Sequence, residues 1–439
     1  MKNSKTEPGD MVEIVTDAEN YIGVMMPQVH EDTAIIKLKT GYNLGIDKKT
    51  IKDVKLLEKH PKETPKTPKE QALSHKKGLK TVSILHMGGT ISSAVDYKTG
   101  GVIAKFSPEE MLNLFPEIKE IANIRSRFVR QMMSDDMRFA HYNIISKEIE
   151  KEVKAGVDGV IITQGTDTMH YTSAALTFIL ECLPIPVILV GSQRSSDRGS
   201  SDAAMNLICA CHFIAKTDFA DVAICMHKDM EDKKCFILPA TKTRKMHTSR
   251  RDAFRPMDTQ PWAEVDYDTG NVTFINKDHK KKDPSRKLKL RLIDENLKVG
   301  ILKVHTNMYA REVEAYKGFD GLVIEGTGLG HAPITKSDEF TGENAKIFEA
   351  IKELIKKGTV VVMAPQTLYG RLQMNVYSPG RKIQEIGVLG NGSDMTPETT
   401  FIKLSWLLSN YKKDEVKDLI TKDLRGEIST KVSGDEFLV

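Results

Sequence analysis

The chain lacks most of what marks a secreted, membrane-spanning or metal-clustered protein. Its 439 residues hold five cysteines, Cys182, Cys209, Cys211, Cys225 and Cys235, with no Cys-x-x-Cys pair. An odd count set mostly in apolar runs argues against a disulfide framework and predicts reduced, buried thiols in an intracellular protein. No apolar run is long enough to span a bilayer. Met1 to Asp10 is polar and charged, unlike a signal peptide, so a soluble, cytoplasmic protein is expected. His86, His305 and His331 are scattered, no His-x-x-x-His spacing occurs, and no metal site is predicted. Charge of one sign is also missing. Lys and Arg number 64 against 60 Asp and Glu, a net +4 that does not by itself argue for a nucleic-acid partner.

What is present is ordinary globular composition, 40% hydrophobic and 28% charged. The length predicts two or three domains. Residues 1–59 read as a small β-barrel. Val12, Ile14 and Val15 open it, and Ile36-Lys37-Leu38-Lys39 alternates like a half-buried strand. Residues 60–78 carry Pro61, Pro65 and Pro68 among Lys and Glu, the composition of a semi-extended linker.

From residue 79 the pattern becomes strand, turn, helix, repeated. Thr81–Leu85, Val157–Ile162, Pro186–Val190 and Val222–Cys225 read as strands. Met169–Leu183 reads as a helix, with Ala175, Phe178, Ile179 and Cys182 on one face. Such alternation predicts a doubly wound, mainly parallel α/β domain over 79–296. A basic run from Lys280 to Arg291 reads as a solvated connector, or alternatively as a contact for a nucleic acid or an acidic partner. Strands at Val299–Val304, Leu322–Ile324 and Thr359–Met363 then predict a smaller α/β lobe over 297–439. Ile347, Ile351 and Leu354 make a helical face there, closed by Gly358 as a cap. Leu404–Leu419 reads as one helical region, and the last thirty residues as a charged surface tail.

Four stretches carry possible chemistry. Gly88-Gly89-Thr90 ends a strand with two permissive residues and a hydroxyl. Gln164-Gly165-Thr166-Asp167-Thr168 sets a hydroxyl beside a carboxylate at a strand-to-helix turn, where open α/β sheets bind ligands. In isolation Thr166 or Asp167 fits equally a helix N-cap. Lys242 to His247 offers lysines; one that is buried beside a hydroxyl can serve as a base, while most such residues belong to a basic loop. Ser134-Asp135-Asp136 suits recognition of an amino-acid zwitterion, or forms a polar turn before a helix at Phe139. Gly326-Thr327-Gly328-Leu329-Gly330 lacks the nucleotide-binding spacings.

Gly-Gly-Thr-Ile at 88–91, Gly-Thr-Asp-Thr at 165–168, the later lysine, and Gly191-Ser192-Gln193-Arg194 with Asp202 and Asn206 together resemble the asparaginase–glutaminase family over roughly 80–410. The resemblance implies amide hydrolysis by a threonine. It assigns Thr90, Thr166, Asp167 and Lys245 to catalysis, with Lys242 as the alternative lysine. It assigns Ser134, Asp135 and Tyr97 to substrate binding. Lys245 matches best because its distance to Phe254 fits the family pattern. Two features depart from simple members: Met87 stands where a threonine is usual, and an N-terminal barrel and linker are added. With Gly41–Gly45 and the run 244–254, these resemble the branch that feeds ammonia to a tRNA-dependent amidotransferase. That branch implies glutamine as amide donor and a tRNA-binding partner subunit of the E type. The partner amidates Glu-tRNA(Gln) with ATP and magnesium, and this chain needs no cofactor of its own. A homodimer within a heterotetramer is implied, with Glu-tRNA(Gln) held mainly by the partner. The alternative is a free-standing L-asparaginase with an accessory barrel.

Overall fold

A computed structural model describes residues 6–26, 32–38, 43–59, 76–89, 93–95, 102–104, 117–195 and 200–431. The linker prolines, Thr90 and Tyr97 lie outside the described residues.

The N-terminal unit is a five-stranded antiparallel sheet. Its order is Asn43–Asp47, Thr33–Lys37, Asn20–Met25, Met11–Thr16, Ile51–Glu58. Alternation puts Val12, Ile14, Ile36 and Ile46 on one buried face. The first four strands form a meander and the fifth returns to pair with the first; a small β-barrel was expected here, and among the described residues the outer strands Asn43–Asp47 and Ile51–Glu58 are not paired with each other.

The large unit is built on an eight-stranded sheet. Five parallel strands come in the order Asn123–Phe128, Thr81–His86, Gly159–Thr163, Val187–Val190, Val222–His227. Lys234–Pro239, Ala263–Asp266 and Val272–Phe274 extend it antiparallel. The central parallel strands are almost wholly apolar because both faces are covered. The helix Ala203–Lys216 packs on one face and Phe139–Lys154 with Met169–Ile179 on the other, each over its own core. The last unit is a parallel sheet of Val299–Lys303, Gly321–Gly326 and Val360–Pro365. The long helix Pro397–Asn410 packs against this sheet and against Met169–Ile179, so one core joins the two. Gly358 caps its helix at φ +93° as expected, its N–H bonded to the Ile355 carbonyl at 2.9 Å.

Several expectations are corrected. The helix from Met169 stops at Ile179, not Leu183. Leu180–Glu181 leaves it to pair with Lys289–Leu290. Cys182 is therefore off the helical face, exposed, at φ +59°; the other four thiols are buried. Leu404–Leu419 is two helices, Pro397–Asn410 and Lys413–Leu419, broken where Tyr411 and Lys412 turn extended. The described part of the tail lies mostly at the surface as expected, except that Glu427 is fully buried against Lys403, Nζ to Oε1 2.6 Å. The basic run is likewise the exposed connector expected: the Lys280 and Lys281 side chains are 50% and 71% exposed and pair with Asp221 at 2.7 Å and Asp218 at 3.5 Å. Among the described residues no helix is long and apolar enough to cross a membrane.

Candidate active site

Three loops leave the carboxyl edge of the large sheet side by side. The strand Thr81–His86 lies between Asn123–Phe128 and Gly159–Thr163 and runs parallel to both. Residues 87–89, 129–134 and 164–168 therefore emerge together, at the edge where such sheets take ligands. Glycine is required for their approach. Gly89 has φ +82°, and a Cβ there would lie 2.2 Å from the Gly165 nitrogen. A Cβ on Gly165 would lie 3.0 Å from Ser134 Oγ.

His86 ties these strands from beneath. Its Nδ1 is 2.8 Å from Thr163 Oγ1 and its Nε2 is 2.8 Å from Ser126 Oγ. Burial pushes the imidazole down to about 4, so it bridges as the neutral ring.

Lys245 enters from a separate hairpin, Thr243–Lys245 against Phe254–Pro256. The segment read as a basic loop is thus partly strand. Lys245 stands directly opposite Phe254, whose fully buried ring anchors the hairpin. Lys245 Nζ donates to Thr166 Oγ1 at 2.9 Å and to Asp167 Oδ1 at 2.7 Å. The lysine side chain is 9% exposed and that of Asp167 is 59% exposed. A hydroxyl and an amine thus meet in a buried floor, with a carboxylate on the open side. Lys242 does not join them. It is buried with Nζ 2.8 Å from Asp394 Oδ2.

The helix-cap reading of the Gly-Thr-Asp-Thr turn is corrected. The N-cap is Thr168, and its side chain makes no capping bond. Its hydroxyl donates instead to the Ser134 carbonyl at 2.7 Å, tying two loops together, while that of Thr166 is engaged by Lys245. Ser134 is buried in a single turn of 3-10 helix, Ser134–Asp136, with Asp135 exposed beside it.

A fourth loop presses on Thr166. A Cβ on Gly191 would lie 2.6 Å from Thr166 Cγ2. Asp202 holds this loop by accepting from the Gln193 and Arg194 N–H groups at 3.0 and 3.1 Å. Asn206 donates to the Gly191 carbonyl at 3.0 Å.

Three site neighbours were assigned no role of their own from the sequence. Gln164 is buried with both amide atoms unpartnered. His170 is pushed down to about 3 by burial and by the charges of Arg244 and Lys245. Glu398 meets Arg244 at 3.0 Å; in sequence it reads only as an acid in a helix's first turn. A cavity of about 420 Å³ opens beside Lys242 and Asp258, but neither Thr166, Asp167 nor Lys245 lines it. The chemistry belongs to the open loop edge, where a hydroxyl within hydrogen-bond reach of an amine can become a nucleophile or a proton carrier.

Residues 81–280 match the family described as Asparaginase, N-terminal. Residues 298–419 match the Glutaminase/Asparaginase C-terminal domain, and residues 6–57 the GatD N-terminal domain. The D-type subunit of glutamyl-tRNA(Gln) amidotransferase from Methanococcus maripaludis (strain C7) is 40% identical, over 97% of this chain and 99% of its own. The same amidotransferase component from Pyrococcus furiosus is 41% identical, over 100% and 99% respectively. Among solved structures, the thermostable L-asparaginase from Thermococcus kodakarensis superposes with TM-score 0.69 at 28% identity. It covers 80% of this chain and 100% of that one.

Proposed function

The chain belongs to the family of D-type glutamyl-tRNA(Gln) amidotransferase subunits, and on that premise we propose that it is a glutaminase that supplies ammonia to a partner subunit. The partner binds tRNA and converts Glu-tRNA(Gln) to Gln-tRNA(Gln). The observation that carries the chemistry is Lys245 Nζ, within hydrogen-bond distance of both Thr166 and Asp167.

The reaction is acyl transfer. The hydroxyl of Thr90 attacks the side-chain amide carbon of glutamine. The carbon–nitrogen bond breaks, the hydroxyl proton passes through Thr166 and Lys245 to the departing nitrogen, and ammonia leaves. Water then attacks the threonyl ester, giving glutamate and the free hydroxyl. A threonine needs such a relay because it is a weak nucleophile at its free pKa. Asp167, open to solvent, takes the substrate ammonium, and Ser134 with Asp135 lies on the same edge for the amino-acid end. Backbone N–H groups at the glycine turns suit a developing oxyanion. ATP and magnesium act at the partner, where glutamate is activated. In this reading the chain works in the cytoplasm, as a homodimer within a heterotetramer.

The test compares glutaminase rate for the full chain with and without the partner subunit and Glu-tRNA(Gln). Stimulation by both is expected. A rate indifferent to both, with asparagine preferred, would make the chain a free-standing asparaginase instead.

A further inference from the structure

Lys245 sits on a hairpin of only three residue pairs, and a two-stranded ribbon that short does not hold itself in place. Its position must be set from outside. Its own unit supplies the buried Phe254 ring and the Thr243 Oγ1 bond to the Pro239 carbonyl at 2.6 Å; a second set of contacts comes from the C-terminal unit, more than a hundred residues further along the chain. Thr399 Oγ1 donates to the Thr241 carbonyl at 2.7 Å. Asp394 Oδ2 accepts from Lys242 at 2.8 Å. Glu398 Oε1 meets Arg244 Nη2 at 3.0 Å. These three contacts run along Thr241, Lys242 and Arg244 and end one residue before Lys245.

We infer that Asp394–Thr399 is a clasp that positions Lys245, with Glu398 as the positioning residue nearest the relay. The inference rests on the reading of Thr166, Asp167 and Lys245 as that relay. Thr241, Lys242, Asp394, Glu398 and Thr399 are each less than a tenth exposed. Buried polar contacts of this kind specify geometry, since leaving one partner unpaired costs more than the contact adds. The clasp is itself rigid. Glu398 and Thr399 lie in the first turn of the helix Pro397–Asn410, where the Thr396 hydroxyl accepts from the Thr399 N–H at 3.2 Å. The Glu398 carboxylate reaches across to Arg244 rather than serving only the start of its own helix. Displacement of a catalytic group by about 1 Å can cost about a hundredfold in rate. The C-terminal unit thereby contributes to turnover without placing a side chain on the substrate.

The test measures glutaminase kcat and KM on the full-length chain for Glu398→Ala, Glu398→Gln and Lys245→Met, with thermal melts to establish folding. Glu398→Ala is expected to lower kcat about 10- to 100-fold with KM for glutamine within about twofold. Glu398→Gln keeps an acceptor for Arg244 and should recover to within about fivefold of the parent chain. Unchanged kcat in folded Glu398→Ala overturns the inference. So does an equal loss in the Ala and Gln variants, or a loss that follows the melted fraction. If Glu398→Ala melts below the assay temperature, Thr399→Val, which removes the bond to the Thr241 carbonyl and the bond from the Thr396 hydroxyl at 3.2 Å, is read by the same criteria. Lys245→Met separates the two readings. If it turns over normally, the relay assignment itself fails. If it is dead while Glu398→Ala is normal, only the clasp fails.

Discussion

Lys245 Nζ stands 2.9 Å from the Thr166 hydroxyl although 79 positions of chain separate them. The parallel sheet presents Thr166 at its carboxyl edge, and the hairpin register presents Lys245 opposite the buried Phe254. Two independent elements thus deliver one hydrogen bond, so each half can be tested alone.

Thr90→Val, Thr166→Val and Lys245→Leu should each lower glutaminase turnover by at least about 10³-fold, as for residues that act as a unit. Steady-state assays beside circular dichroism check this, and near-normal turnover in any folded variant removes that residue from the mechanism. Lys242→Leu should act on turnover only through the clasp, and mainly on stability. It leaves Asp394 buried without its cation and should cost about 3–5 kcal/mol in denaturant unfolding.

Stability should fall between about pH 6.5 and pH 4 through His86. In the unfolded chain the imidazole takes a proton near 6.5; in the folded chain burial holds it off until about 4. Its contribution is therefore fully present above about pH 6.5 and is lost as the pH drops toward 4. The difference amounts to about 3 kcal/mol. His86→Gln should flatten that part of the curve of melting temperature against pH. An unchanged slope in this variant would place the acid sensitivity elsewhere.

Gly89→Ala should disrupt the site more than its size suggests. The new Cβ would fall 2.2 Å from the Gly165 nitrogen, at φ +82°. Neither backbone can yield without moving the turn that carries Thr166. We expect a loss of at least about 2 kcal/mol, with most of the activity gone. Equal stability and turnover in the alanine variant would show that the two turns can separate.

The Lys403–Glu427 pair has no exposed side-chain surface on either partner. Burial pulls the lysine down and pushes the glutamate up, and each partner opposes the shift of the other. Lys403→Met should cost about 3–5 kcal/mol by stranding the carboxylate. Adding Glu427→Gln should recover a large part, since the amide oxygen still accepts from the Leu424 and Arg425 N–H groups that Glu427 now holds. Denaturant midpoints of the single and double variants decide it.

Much of this was legible in the residues themselves. Apolar runs such as Val157–Ile162, followed by Gly-Thr-Asp, located the strands and the ligand-facing turns, because strand burial and turn chemistry are local properties. The resemblance to the asparaginase–glutaminase family, through the distance from Lys245 to Phe254, favoured one lysine of two. Local rules failed where a distant partner intervened. The helix from Met169 ends early because Leu180–Glu181 pairs with Lys289–Leu290. Glu427 is buried within an otherwise surface-lying tail because Lys403 takes it. The helix begins at Thr168 rather than at Thr166 or Asp167, and its hydroxyl turns to the Ser134 carbonyl on the neighbouring loop. Which residues could do chemistry was set by side-chain type and turn position. Which of them meet was decided by sheet order, hairpin register and the reach of Asp394–Thr399, relationships between positions that a linear chain does not display.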